Sequence, residues 1–332
     1  MSNTMSEAGV SFAVFVASSM FSLSGALRTE AAKETKAKFD ERIAISATGC
    51  FAGYELFDAL SNAYELGFQS VAVFPQGPAE HSLGELPKLQ FYNADDTHRG
   101  HIKEALHKFK HILIHQAWDD QWHRWIDCAE FVGAKIVTVH AGTRKPSEPQ
   151  EQFLERRVRF LRPIVDHAQN KGIKIGVENE GGKYEDYVSL LHATPHPAVG
   201  ATIDAGHCAY FDEVESIGNI DERVKRLNDV ICRLVRELGE RVCHFHIHNV
   251  RRYEAVDFTR IPDPYWKPGS LIDHRSVPGG EIDFPRLFVA LKEIGYTGMF
   301  ELELEEPDKE EKALESAQYL NGLLKEANLD DE

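Results

Sequence analysis

Between Cys243 and Arg252 the chain reads CHFHIHNVRR, which sets His244, His246 and His248 at every second position with Phe245 and Ile247 between them. In an extended strand residues i, i+2 and i+4 share a face, so three imidazoles line one side and the apolar residues the other. Imidazoles on a buried face need a partner: a water, a carboxylate or a bound metal. Carboxylates stand at matching places elsewhere. Glu178 follows Val177 and Ile175, Asp204 follows Ile203, and Glu303 lies between Leu302 and Leu304, while His115 and His140 close two further apolar runs. Carboxylates driven into one small volume repel each other and are costly to bury unpaired. A divalent cation removes the conflict, because carboxylate oxygens and imidazole nitrogens are its ordinary ligands. A buried hydrogen-bond network without metal is the alternative.

The elements that must position these groups are short β-rich runs alternating with longer helical ones. Expected strands are Arg42–Thr48, Ser70–Phe74, His111–His115, Lys135–His140, Ile173–Glu180, Val199–Asp204, Val242–His248 and Met299–Glu305. Expected helices include Tyr54–Leu66, Arg99–Lys110, Gln150–Lys171, Asp221–Gly239, Phe284–Ile294 and Lys309–Ala327. Eight strands alternating with helices over about 285 residues imply an α/β fold, a single-domain (β/α)8 TIM barrel. A doubly wound open sheet is the alternative, but no GxGxxG follows the first strand. Along each strand the aliphatic residues face the helices and the polar ones the barrel interior. His115, His140, Glu178, Asp204, His246 and Glu303 then converge at the C-terminal rim, where barrel enzymes build their sites. The barrel is expected over residues 42–327, preceded by an N-terminal extension at 1–41 and followed by an acidic tail at 328–332.

Composition narrows the class. The net charge of −16 argues against affinity drawn from neutralising phosphates, so no nucleic-acid partner is expected. Five scattered cysteines without a CxxC pair read as reduced thiols, which fits a cytoplasmic protein. Residues 10–27 are apolar and Ser-rich and end near Ser24-Gly25-Ala26, which resembles a small-residue cleavage site as in a secretory signal, but Glu7 and no Lys or Arg precede them. Export is therefore the alternative to an ordinary extension, one whose apolar face would suit a homo-oligomer contact. No other run is long enough to span a membrane. His101, His107 and His111 are expected at the surface, and the acidic run Glu305–Glu311 on a solvated face.

The motifs VENEGG (Val177–Gly182), IDAGH (Ile203–His207), HFHIHN (His244–Asn249), VPGGEIDF (Val277–Phe284) and YTGMFELE (Tyr296–Glu303) resemble the xylose-isomerase-like barrel superfamily. That group includes ketose 3-epimerases such as D-tagatose 3-epimerase, hydroxypyruvate isomerase, inosose dehydratase and endonuclease IV. The resemblance covers roughly residues 42–325. It implies a metal-dependent sugar or sugar-phosphate isomerase or epimerase, with an inosose-type dehydratase or a metal phosphodiesterase as alternatives.

Carried over residue by residue, the resemblance assigns the metal to Glu178, Asp204, His246 and Glu303. The cation implied is Mn²⁺, Mg²⁺ or Co²⁺, with Zn²⁺ favoured if further histidines join. Glu178 and Glu303 would be the catalytic pair, one removing the proton beside a carbonyl and the other returning it through an enediolate. His207 and Arg252 match groups that hold substrate oxygens; His115 and His140 match positions that line the pocket or bind an extra metal in the nuclease. His274 falls near another nuclease ligand, whose Asp-x-His pair would need Asp where Ile272 stands. Trp118, just after the third strand, is a pocket-wall candidate. The long segment Asn249–Gly280, with Arg251, Arg252, Arg260, Tyr265, Trp266, Lys267 and Arg275, is expected as a lid or a partner surface, whose aromatics can stack on a sugar and whose arginines can grip a phosphate, with a solvated loop as the alternative. Tyr184, Glu180 and Glu301 are expected to support the ligands from behind.

Overall fold

The computed structural model describes residues 38–77, 86–117, 119–260 and 266–327. Most of the expected N-terminal extension, Trp118, Tyr265 and the acidic tail lie outside the described residues. Eight parallel strands, β1 (Ile43–Ser46), β2 (Ser70–Val73), β3 (His111–His115), β4 (Ile136–His140), β5 (Lys174–Glu178), β6 (Val199–Asp204), β7 (Val242–Ile247) and β10 (Met299–Leu302), close into a barrel. Their order around it is β1-β10-β7-β6-β5-β4-β3-β2, the (β/α)8 arrangement that the alternation of elements implies. The long segment after β7 is not an irregular loop throughout. It folds back as an antiparallel pair, β8 (Asn249–Arg252) with β9 (Leu271–Arg275).

The helices form where apolar spacing and capping agree. The Asp95 carboxylate accepts from the His98 N–H and starts α3 (Asp96–Leu106) three residues before the expected Arg99. The Asn219 side chain accepts from the Asp221 and Glu222 N–H groups at the head of α8 (Ile220–Leu238), whose Leu227, Ile231, Leu234, Val235 and Leu238 are buried. Asp283 caps α9 (Phe284–Glu293) in the same way, with Pro285 in its first turn. These faces pack on the outward residues of the strands, such as Ile43, Ile45, Val71, Val137, Val177 and Phe245, in one continuous core. No helix among the described residues is long and apolar enough to cross a membrane.

Inside the barrel, side chains change from apolar to ionisable along the strand direction. Ala44, Ala72, Leu113 and Met299 fill the N-terminal end. Thr138, Thr202, His244 and Glu301 form a buried polar layer above them. Gly176 faces this layer, and a Cβ there would overlap the Thr202 hydroxyl, so the crowded interior demands glycine. Register then aligns the rim: His140 pairs with Glu178, Asp204 with His246, and Glu301 with His246.

Candidate metal centre

Glu178, Asp204 and His246 stand at or near the ends of β5, β6 and β7, and Glu303 lies one residue beyond β10. One ligand atom from each of the four lies within 4.8 Å of all the others. His246 Nδ1 is the hub, at 3.0 Å from Glu178 Oε1, 3.1 Å from Glu303 Oε2 and 3.8 Å from Asp204 Oδ2. The Glu178 carboxylate also faces His140 Nε2 at 3.3 Å, His115 Nε2 at 3.4 Å and His207 Nδ1 at 3.5 Å. Its Oε2 is nevertheless buried without a hydrogen-bond partner. An orphaned carboxylate oxygen between imidazoles and two further carboxylates has the donor chemistry a cation takes. The donor set of three carboxylates and one imidazole therefore fits a divalent metal.

The electrostatics of the cage follow from this crowding. Burial alone would push the Glu178 carboxyl up, yet the His246 and His140 charges and the nearby His115 imidazole hold it well below the usual carboxylate range. Glu303 is held down against burial by His246, and Asp204 by His207 and His248. The imidazoles move the opposite way. Burial opposes their charge, but Glu303 and Glu178 raise His246 well above its ordinary value, and Glu178 with Glu180 raises His140 to about 9. The carboxylates thus favour positive charge at this point, whether on the imidazoles or on a cation.

Below the cage the polarity is quenched. Burial, followed by the neighbouring Glu303 charge, pushes Glu301 well above the carboxylate range, and burial pushes His244 well below the histidine range. Glu301 Oε2 lies 3.5 Å from His244 Nε2 and 3.6 Å from His246 Nε2, and His244 Nδ1 lies 3.2 Å from Thr138 Oγ1. Glu301 therefore backs the cage from below with its charged form disfavoured, and Glu180 contacts His140 Nδ1 at 3.2 Å. Tyr184 is tied instead to Glu237 at 2.5 Å, outside the site.

Above the cage lies a cavity of about 330 Å³ into which His115, His140, Glu178, His207, His274 and Glu303 open. Asp204 and His246 sit fully buried at its floor. Phe74, stacked on the His115 ring at a centroid distance of 4.6 Å, and Leu86 form an apolar wall that sequence reasoning did not single out. Asp273 is a second omission. Its carboxylate faces His207 Nε2 at 3.7 Å and His274 Nδ1 at 3.3 Å, so an acid does accompany His274, at the adjacent position rather than two residues before it. Glu305, expected on a solvated face, lines the cavity.

Several arginines of the long segment have partners other than a ligand. Arg252 does not line the cavity; its guanidinium pairs with Asp221 at 2.8 Å and Glu281 at 2.9 Å. Arg251 donates to the Ser276 and Pro278 carbonyls, Arg275 to the Glu305 carbonyl, and Arg260 pairs with Asp308. Trp266 stacks on Tyr210 with ring centroids 5.8 Å apart. His101, His107 and His111 are exposed, as expected.

Comparison with known proteins adds the family. The model of the xylose isomerase-like TIM barrel matches residues 60–323. The chain belongs to that family. A curated relative, the uncharacterised protein MJ1311 of Methanocaldococcus jannaschii, is 26% identical over 187 residues, 54% of this chain. The matched region spans 53% of that relative's length, about half. Among solved structures, a D-tagatose 3-epimerase-like protein superposes with a TM-score of 0.60 at 18% identity, over 86% of this chain and 98% of that one. The IolI protein with a binding zinc atom gives 0.56 at 17% identity, over 87% and 96%. A xylose isomerase-like TIM barrel protein from Mycobacterium smegmatis in complex with magnesium gives 0.55 at 20% identity, over 82% and 88%. At these identities the family's structures share the fold.

Proposed function

We propose that this chain is a divalent-metal-dependent isomerase or epimerase of a ketose or related hydroxy-carbonyl compound. The observation that carries the reading is the convergence of Glu178, Asp204, His246 and Glu303 on one point at the floor of the barrel-mouth cavity. A cation held there would polarise a carbonyl and its neighbouring hydroxyl and stabilise the negative charge that develops when a C–H proton leaves. Glu178 and Glu303, ionised and open to the cavity, are the groups able to take that proton and return it. Return to the opposite face of the same carbon is epimerisation, and return to the neighbouring carbon is isomerisation. His207 and His274 reach the cavity from the β6 and β9 sides, where they can donate hydrogen bonds to substrate hydroxyls.

The occurrence of zinc in one family structure and magnesium in another supports a divalent metal, and the epimerase-like neighbour supports the reaction class. Five free, buried cysteines fit a cytoplasmic enzyme. The test is incubation of the manganese-loaded protein with a panel of ketoses in D₂O, read by NMR. Deuterium at the carbon beside the carbonyl, with interconversion of isomers, is the expected result. Loss of water from the substrate would move the assignment to a dehydratase, and no exchange with any sugar would overturn it.

A further inference from the structure

His248 has a place in the floor of the site that the four-residue cage leaves unassigned. It is fully buried, and its two ring nitrogens have different partners. The main-chain N–H of His274 donates to His248 Nδ1 at 2.9 Å, and His248 Nε2 lies 2.9 Å from Asp204 Oδ2. A main-chain N–H only donates, so Nδ1 is an acceptor and the ring proton sits on Nε2, pointing at the Asp204 carboxylate. The fit is enforced from two sides. Gly206 leaves room for the ring, since a Cβ there would overlap His248 Cε1 and Nδ1. His274 holds a left-handed backbone at φ +53, rare for a residue with a side chain, and its ring stacks on His248 at 4.2 Å.

Asp204 is thereby held at both oxygens. The His207 N–H donates to Oδ1 at 2.7 Å and His248 to Oδ2, while Asn179 Oδ1 accepts from the Asp204 N–H at 2.9 Å. Of its two oxygens Oδ2 is the one turned to the cage, 3.8 Å from His246 Nδ1, and a hydrogen bond on each oxygen opposes rotation of the carboxylate. We propose that His248 is a positioning residue, an Nε2–H donor that locks Asp204 as a one-oxygen ligand and does not itself bind the metal. The proposal rests on the cation reading of the cage. It also bears on the neighbouring group Asp204, His207, His248 and His274, whose donor atoms lie close enough for a second ion. With its ring proton on Nε2 and a main-chain donor on Nδ1, His248 has no free lone pair to offer there.

The experiment is Mn²⁺ binding by electron paramagnetic resonance to the wild-type protein, His248→Ala and His248→Gln, with circular dichroism and thermal melting on each. Glutamine places an amide N–H near the site of Nε2–H. Expected is a loss of about 10- to 100-fold in affinity for His248→Ala and recovery to within about threefold for His248→Gln. Unchanged affinity in His248→Ala, or no recovery in His248→Gln, would overturn the role while leaving the cage intact. A wild-type protein that binds no Mn²⁺ would instead remove the cation reading and this inference with it. Should either variant fail to fold, nitrogen-15 histidine spectra of the wild-type protein loaded with Zn²⁺ decide: His248 keeps its Nε2 proton on loading, and loss of that proton would make it a ligand and end the proposal.

Discussion

Metal binding at this cage should expel protons, and the structure sets how many. With no cation bound, Glu303 and Glu178 raise His246 well above its ordinary value of 6.5 and so favour its charged form at neutral pH. Ligation requires a bare nitrogen on that ring, so at least one proton leaves when the cation arrives. His140, raised to about 9 by Glu178 and Glu180, loses part of its reason to be charged once a metal neutralises Glu178. One released proton makes affinity rise about tenfold per pH unit above 6.5 and below the raised value, or ~2.7 kcal/mol across two units. The sign for stability runs the other way. A histidine raised on folding stabilises the metal-free protein fully below 6.5, and that contribution is lost as pH climbs through the raised value. Metal should therefore add most to the melting temperature at the alkaline end. Calorimetric titration with Mn²⁺ at pH 7, in two non-chelating buffers of different ionisation enthalpy, reads the proton count directly. Identical heats in both buffers, with an affinity flat from about pH 6.5 to 8.5, would refute the reasoning.

Three other outcomes are expected. Glu303→Gln should retain the melting temperature to within a few degrees but lower turnover by about 10²- to 10⁴-fold, measured as the rate of solvent deuterium exchange into the ketose. Gly176→Ala should destabilise the barrel by about 1–3 kcal/mol, because its methyl group meets the Thr202 hydroxyl; urea unfolding at unchanged m-value checks it. Among the described residues no Lys or Arg lines the cavity to pair with a phosphate, so a ketose phosphate should show no lower KM than the free ketose in paired assays.

The barrel and the convergence of its polar strand ends were legible because both depend on alternation, whereas the choice of Glu178, Asp204, His246 and Glu303 among them came from the family resemblance. Val177-Glu178, Ile203-Asp204 and Phe245-His246-Ile247 each point an aliphatic residue at the helices and a polar one inward, and that parity survives any error of a residue or two in strand ends. Glu303 shows the tolerance: β10 stops at Leu302, yet Glu303 still reaches His246. Where the chain leaves strand geometry, parity fails. His274 adopts a positive φ, so Asp273 and His274 both face the site although they are adjacent, which no alternation rule anticipates. Arg252 is displaced for a related reason: the pairing of β8 with β9 directs the chain away from the barrel, and Asp221 and Glu281 take the guanidinium. Phe74 carries no signal of its own, since one apolar residue at a strand end reads as core until its ring is seen on His115.

The most direct measurement is anomalous diffraction from crystals grown with manganese. The account predicts one strong peak among Glu178, Asp204, His246 and Glu303, about 2.0–2.3 Å from an atom of each, with His248 outside that distance. A peak elsewhere, or none at the cage in a fully folded barrel, would contradict it.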